Sequence, residues 1–190
     1  MKLVFATNNQ NKVNEIKSLL GEGIEIVTLK EIGCNEELPE TQETLEGNAL
    51  QKARYVADNY NVNCFADDTG LEIESLNGAP GVYSARYAGE NCVAEDNMTK
   101  ILSELVGKEN REAKFRTIVS LILDDQEYSF EGKVDGSITR SKSGSDGFGY
   151  DPIFQPNGFD STFSEMSMAE KNAISHRGKA VSKLIEFLKN

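Results

Sequence analysis

Histidine is almost missing from this chain: His176 is the single copy in 190 residues. One imidazole leaves little for a zinc centre or a Ser-His-Asp triad to be built from. Cysteine is scarce too, and Cys34, Cys64 and Cys92 are odd in number with neither metal-ligand nor redox spacing. Reduced thiols in a reducing compartment are the reading, which points to the cytoplasm. Positive charge is the next shortage. Lys and Arg total 20 against 31 Asp and Glu, a formal net charge of −11, so broad binding to nucleic acid or to anionic lipid is excluded, because both partners demand a basic face. A polyphosphate ligand stays open, but only with local Lys, Arg and metal. Long apolar runs are lacking as well: Met1 to Ala6 is too short for a signal peptide, and no later stretch nears the ~20 residues of a membrane span. A soluble cytoplasmic protein is expected.

What is present fits one domain, or one domain with two lobes, spanning residues 1–190 and long enough to bury a real core. Its centre is Phe65-Ala66-Asp67-Asp68-Thr69-Gly70-Leu71. Cys64, Phe65 and Ala66 read as a short buried strand, and Leu71 to Leu76 alternates like a half-buried one, with the acid pair and a turn between them. Asp, Thr and Gly favour turns on their own account. Carboxylates at the end of a buried strand are also held rigidly, where a metal ion or an activated water can use them.

The first strand, Lys2 to Ala6, runs into Thr7-Asn8-Asn9-Gln10-Asn11 and a helix whose Val13, Ile16, Leu19 and Leu20 share a face. Strand, polar loop and helix make a phosphate-binding geometry, with Asn8 and Asn9 able to turn amides inward and Lys12 behind them. Asn is equally a plain helix cap, and no Walker loop is present, since its glycines and Gly-Lys-Ser/Thr are absent. A lysine in a first helical turn opposes the macrodipole unless an anion is also there. Ile24 to Leu29 is a second strand and Glu31 to Glu43 an acidic loop. The helix from Leu45 buries Leu45, Ala49, Ala53, Val56, Ala57 and Tyr60, with Asn48 and Lys52 one face away. Glu40, just before it, is either a surface charge or a metal ligand.

Gly78 to Gly89 is a Tyr-containing loop with a Pro-Gly turn. An amphipathic helix follows from Val93 to Leu105, then a long strand from Ala113 to Leu123 that turns at Asp124-Asp125-Gln126 into Glu127 to Val134. An antiparallel hairpin beside strand-helix units implies a mixed sheet. Gly144 to Pro152 places Phe148 among three glycines, free to stack on a planar ligand or to close over the core. Ser175 caps a terminal helix carrying Ala180, Val181, Leu184, Phe187 and Leu188 inward, whose first turn holds His176, Arg177 and Lys179 against the dipole rule. A local rule broken without visible packing gain marks a place to look for ligand.

Five stretches, Thr7 to Lys12, Ala66 to Leu71, Gly78 to Tyr87, Phe148 to Pro152 and Ser175 to Gly178, occur in this order between residue 3 and the C-terminal helix. Together they resemble the inosine triphosphate pyrophosphatases, which convert dITP, ITP and XTP to monophosphate and pyrophosphate. The resemblance implies an α/β fold, a long mixed β-sheet flanked by helices in two lobes with a central cleft, a homodimer, a purine nucleoside triphosphate substrate, and Mg2+ on its phosphates, with Mn2+ the alternative ion.

Carried onto matching positions, the resemblance implies that Thr7, Asn8, Asn9, Gln10, Asn11, Lys12 and Lys52 hold the triphosphate. Glu40 and Asp68 serve the metal, and Asp68 also activates water. Thr69 stands where the family usually has Ser. Phe148 stacks on the base, Asp151, Lys171, His176 and Arg177 read its edge, and Arg86, Gly149 and Tyr150 complete the substrate-binding set. Two places depart from the family pattern: Gly47 precedes Asn48 where Glu is frequent, and Gln42-Glu43 replaces a Gly-containing turn. A nucleotide sensor without turnover and a pyrophosphatase for dTTP or UTP are the competing readings. Pyrophosphate release from ITP separates the first, and the Phe148 loop with Ser175-His176-Arg177 speaks against the second.

Overall fold

The computed structural model describes residues 1–19 and 23–189. In chain order the first elements are β1 (Lys2–Phe5), α1 (Gln10–Leu19), β2 (Glu25–Thr28), α2 (Leu45–Tyr60), β3 (Cys64–Ile73) and β4 (Pro80–Gly81). They are followed by α3 (Ala94–Glu104), β5 (Glu112–Leu123), β6 (Gln126–Ile138), β7 (Phe154–Pro156), α4 (Met168–Ile174) and α5 (His176–Lys189). The strands form one mixed sheet in the order β2-β1-β3-β5-β6-β7, with β4 added to β3. Leu20, expected on the face of the first helix, lies outside the described residues.

The backbone divides into two compact units, the first comprising Met1–Asp68, Thr117–Gly132 and Arg177–Asn190, the second Thr69–Arg116 and Lys133–His176. Two of the four places where the chain passes from one unit to the other, Asp68 to Thr69 and His176 to Arg177, fall inside sequence motifs.

In the first unit β1 pairs parallel with β2, Lys2 opposite Glu25 through Phe5 opposite Thr28, and parallel with β3, Phe5 opposite Phe65. Parallel strands need a crossover, which α1 supplies between β1 and β2 and α2 between β2 and β3. Strand alternation then sorts the core into two faces. Leu3, Phe5 and Phe65 pack with Val13 and Ile16 of α1 and with Ala180, Val181 and Leu184 of α5. Val4, Ala6, Cys64 and Ala66 pack with Ala53 and Val56 of α2. Burial on both faces explains the nearly continuous apolar runs of β1 and of the start of β3. Thr44 caps α2 by accepting the Gly47 N–H at 3.0 Å, and Asn61 ends it in a left-handed conformation. Asp124 and Asp125 carry positive φ, as a two-residue hairpin turn requires, so Gln126 already belongs to β6.

The second unit is built on aromatic packing. Phe115 lies 4.7 Å from Phe154 and Phe154 5.2 Å from Phe163, centroid to centroid, with Leu71, Ile73, Ile101, Ile138 and Ile153 filling in around them. β6 and β7 pair antiparallel here, Ile138 opposite Phe154.

Two expectations are corrected. The acid pair is not a turn: β3 runs unbroken through Asp67, Asp68, Thr69 and Gly70, and a short 3-10 turn comes only at Glu74–Leu76. Turn propensity lost to tertiary pairing, because Asp67 is fully buried and its carboxylate is bonded by side chains from α1 and α5. The second correction is α4, which has no counterpart in the sequence reading. Its signal was present as Ser167-Met168-Ala169-Glu170, a capping box in which Ser167 accepts from the Glu170 N–H and Glu170 from the Ser167 N–H.

Phe5 and Phe65 stack at 4.6 Å and neither is exposed. Phe65→Ala is expected to destabilise the chain by about 3–5 kcal/mol in urea unfolding. A loss below about 1 kcal/mol would mean that this pair is not part of the first unit's core.

Candidate active site

At the mouth of α1 the side chains themselves occupy most of the free amides. Asn9 Oδ1 accepts from the N–H groups of Asn11 at 3.0 Å and Lys12 at 3.2 Å, and Thr7 Oγ1 accepts from Asn9 N–H at 3.2 Å. Asn9 therefore acts as a cap, the plainer of the two readings of this loop. Asn8 faces a different segment, donating to the Glu36 carbonyl at 3.2 Å and accepting from Leu38 N–H at 3.4 Å. Gln10 bonds Asn14 at 2.9 Å, and Asn11 is exposed. Within residues 7–12 it is Lys12 that turns to the acid pair, with Nζ 3.0 Å from Asp67 Oδ1.

Two further helices bring charge to the same place in the first unit. α2 sets the buried Lys52 ammonium in an ion pair with Glu40 and 3.8 Å from Asp68 Oδ1. α5 contributes Arg177, whose Nε donates to Asp67 Oδ2 at 3.2 Å and whose Nη1 donates to Glu15 of α1. Arg177, expected to read a base edge, thus has its guanidinium engaged by two carboxylates. The dipole-rule violation at the start of α5 is answered by protein acids. Glu15 was missed by the sequence reading. Its one local signal is that it follows Lys12 by three residues and precedes Leu19 by four, a helical stripe that includes half-buried positions.

These contacts treat the two adjacent aspartates differently. Burial works to raise the Asp67 carboxyl, but Lys12, Arg177 and Lys52 outweigh it and hold the group well below the usual carboxylate range. For Asp68 burial wins: it pushes the carboxyl up, Lys52 and Lys12 pull back, and the negative Glu40 and Asp67 add to the rise. Glu40 is lowered, burial opposing and Lys52 prevailing. Lys52 itself is raised, since Asp68 and Glu40 overcome its desolvation, whereas burial lowers Lys12 despite Asp67. Asp67 is thereby fixed as an anion, and Asp68 is the more basic of the pair.

In the second unit, Asp151 is the organiser. Its Oδ2 accepts from Phe148 N–H at 2.9 Å and from Lys171 Nζ at 2.7 Å. Lys171, placed by α4, lies 5.0 Å from the Phe148 ring centroid and 5.7 Å from that of Phe163. Gly147, at φ +78°, has to be glycine, because a Cβ there would collide with the Asp151 carboxylate. His176 stacks on Phe115 at 4.5 Å. Tyr150 is buried and donates its hydroxyl to the Ser84 carbonyl at 2.6 Å, and half-buried Gly149 precedes it with φ +64°. Thr69 continues β3, half-buried. Arg86 is engaged elsewhere, its guanidinium 5.3 Å over the Tyr83 ring. Among the described residues no group of three or more His, Cys, Asp or Glu is placed to hold a metal ion, and no helix is long and apolar enough to cross a membrane.

The Ham1 family model matches residues 3–187. A dITP/XTP pyrophosphatase of Flavobacterium johnsoniae is 55% identical over 188 residues, covering 99% of this chain and 98% of the relative. One from Porphyromonas gingivalis is 53% identical, covering 98% and 97%. Among solved structures, the Staphylococcus aureus Ham1 protein superposes with a TM-score of 0.89 at 39% identity, over 100% of this chain and 98% of that one.

The opposite shifts of Asp67 and Asp68 make opposite demands on pH. Asp67 is lowered, so its contribution to stability is present above the ordinary carboxylate value of 3.8 and is lost as pH falls through its folded value. Asp68 is raised, so its contribution is present when it is protonated and is lost as pH rises through its folded value; at neutral pH its charge destabilises the fold. Asp67→Asn is therefore expected to lower Tm at pH 7 and to flatten the fall of Tm in acid, while Asp68→Asn raises Tm at pH 7. Thermal unfolding of both variants across pH 3 to 8 checks this, and shifts of the same sign at pH 7 would contradict it.

Proposed function

The chain belongs to the Ham1 family, and from that premise we propose that it hydrolyses the non-standard purine nucleoside triphosphates ITP, dITP and XTP to monophosphate and pyrophosphate, removing them from the nucleotide pool. The observation that carries the chemistry is the split of the acid pair. Asp68 is the general base: its raised pKa brings it nearer neutrality, where a base is most effective. It takes a proton from the water that attacks the α-phosphorus. The new bond is water oxygen to α-phosphorus, the bond to the bridging oxygen breaks, and pyrophosphate leaves.

A triphosphate brings about four negative charges at neutral pH, and an acid pair alone would repel it. Lys12 and Lys52 offset that repulsion, each within ion-pair range of the acid pair and free to exchange a carboxylate oxygen for a phosphate oxygen. Asp67 keeps Lys12 and Arg177 in place while this happens. The family resemblance supports Thr7, Asn8, Asn9, Gln10 and Asn11 joining Lys12 and Lys52 in holding the triphosphate.

Magnesium fits the donor set. Glu40 and Asp68 present carboxylate oxygens that share Lys52, and Mg2+ is commonly held by one or two carboxylates together with substrate phosphates and water. Mn2+ takes the same donors. When bound, the ion neutralises phosphate oxygens as a Lewis acid.

For the base end the family resemblance supports Phe148, Asp151, Lys171 and His176. Phe148 supplies the stacking face, held by the Asp151 bond to its N–H, and Lys171 and His176 offer donors to the 6-oxo group of hypoxanthine or xanthine. Adenine presents an amino donor there and leaves them unpaired, a mismatch that costs a factor of about 10⁴ where a site is built for the acceptor. Thr69, Arg86, Gly149 and Tyr150 complete the substrate-binding set on the family resemblance alone. The homodimeric and cytoplasmic parts of the reading rest on the family resemblance and on composition.

Two measurements test it. Asp68→Asn is expected to lower kcat by about 10² or more with the fold intact, and near wild-type turnover would remove Asp68 as the base. A panel of ITP, dITP, XTP, GTP and ATP, scored for pyrophosphate against orthophosphate, is expected to show pyrophosphate from the first three. Equal activity on ATP would remove the base-reading roles.

A further inference from the structure

Glu40 belongs to no helix or strand, yet it is held in one place beside Lys52. The segment that carries it is fastened on both sides. Upstream, the Asn8 side-chain amide spans the backbone of Glu36 and Leu38, at 3.2 and 3.4 Å. The Glu36 carboxylate also accepts from Tyr55 at 3.2 Å and Tyr60 at 2.8 Å, both on α2. Downstream, Gln51 of α2 makes a two-point bond to Thr41, accepting from its N–H at 2.9 Å and donating to its hydroxyl at 2.8 Å. The next residue is fastened as well, for Asn48 Oδ1 accepts from Gln42 N–H at 2.9 Å. Asn48 is buried, so its bond to Gln42 is partly sheltered from competing water, while the two bonds between half-buried Gln51 and Thr41 are exposed and rely on their paired geometry.

Gly47 fits the same arrangement. It sits in the first turn of α2 without a positive φ, so its backbone does not require glycine, and helix propensity disfavours it. What requires it is space: a Cβ at Gly47 would stand 2.7 Å from Gln42 Cβ and 3.1 Å from both Gln42 Cγ and Thr44 Oγ1. Gln42 can lie against α2 only because position 47 lacks a side chain.

We infer that Gln51 and Asn48 are positioning residues for Glu40, and that Gly47 is the gap into which Gln42 packs so that they can act. α2 thereby sets both partners of the Glu40–Lys52 pair, one as a helix residue and the other through side chains that grip the loop. The inference rests on the reading of Glu40 as a metal-facing carboxylate. It goes further in saying that the carboxylate is aimed from residues that touch neither metal nor nucleotide.

The test measures Mn2+ binding to the free enzyme by loss of the free-ion EPR signal, with Tm recorded beside it. Gln51→Ala is expected to weaken Mn2+ binding about tenfold, the scale of lost support behind a metal ligand. Gly47→Ala is expected to do the same while leaving Tm unchanged or raised, since alanine favours the helix. Adding Gln42→Gly to Gly47→Ala removes the collision and is expected to restore binding to within about threefold of wild type. If Gln51→Ala and Gly47→Ala bind Mn2+ as wild type does while Glu40→Gln binds weakly, the positioning inference is overturned and Glu40 keeps its role. If Glu40→Gln also binds as wild type, the metal-facing reading fails and the inference with it. A double variant no better than Gly47→Ala overturns the role given to Gly47.

Discussion

Two carboxylates in succession on a buried strand set a constraint that much of the first unit answers. Asp67 is fully buried and Asp68 nearly so, and charge cannot be kept there without partners. The partners come from far apart in the chain: Lys12 from α1, Lys52 from α2 and Arg177 from α5. Each of those helices also buries apolar side chains of its own. Hydrophobic packing therefore brings the cations to the acid pair, and the acid pair makes their burial tolerable. With Glu15 and Glu40 added, three cations meet four carboxylates, each bonded to at least one of the other kind.

The division of labour within the pair follows from strand geometry. Successive side chains on a strand point to opposite faces, so Asp67 and Asp68 have different nearest partners although Lys12 and Lys52 act on both. Asp67 meets Lys12 and Arg177 and stays ionised, while Asp68 meets Lys52 at longer range and keeps a raised pKa. One aspartate can then serve as a fixed counter-ion and its neighbour as a proton acceptor, without histidine. The near-absence of that residue is consistent with a hydrolase that draws its base from burial.

Where periodicity carried the signal, the fold was legible. The α2 and α3 helices, the terminal helix and the β5–β6 hairpin all follow from spacing of apolar residues and from Asp124-Asp125 as a turn. Legibility failed at Asp67 to Gly70, because local preference argues for a turn and the cations that keep the strand intact are distant in sequence. Helix α4 announces itself only by its Ser-x-x-Glu cap, since its 7 residues carry little apolar periodicity. Of the candidate site residues read from sequence, Lys12, Lys52, Glu40 and Asp68 are brought together. The broken dipole rule at Arg177 marked a place to look for ligand, whereas two protein carboxylates answer it. Glu15, Asn48 and Gln51 were invisible as site residues because their work is done on other side chains.

The claim on which the chemistry depends is that Asp67 and Asp68 titrate on opposite sides of the ordinary aspartate value. Carbon-13 NMR titration of the two side-chain carboxyls in the free enzyme measures that directly. The account predicts Asp67 below 3.8 and Asp68 above it. Equal values, or the reverse order, would contradict it.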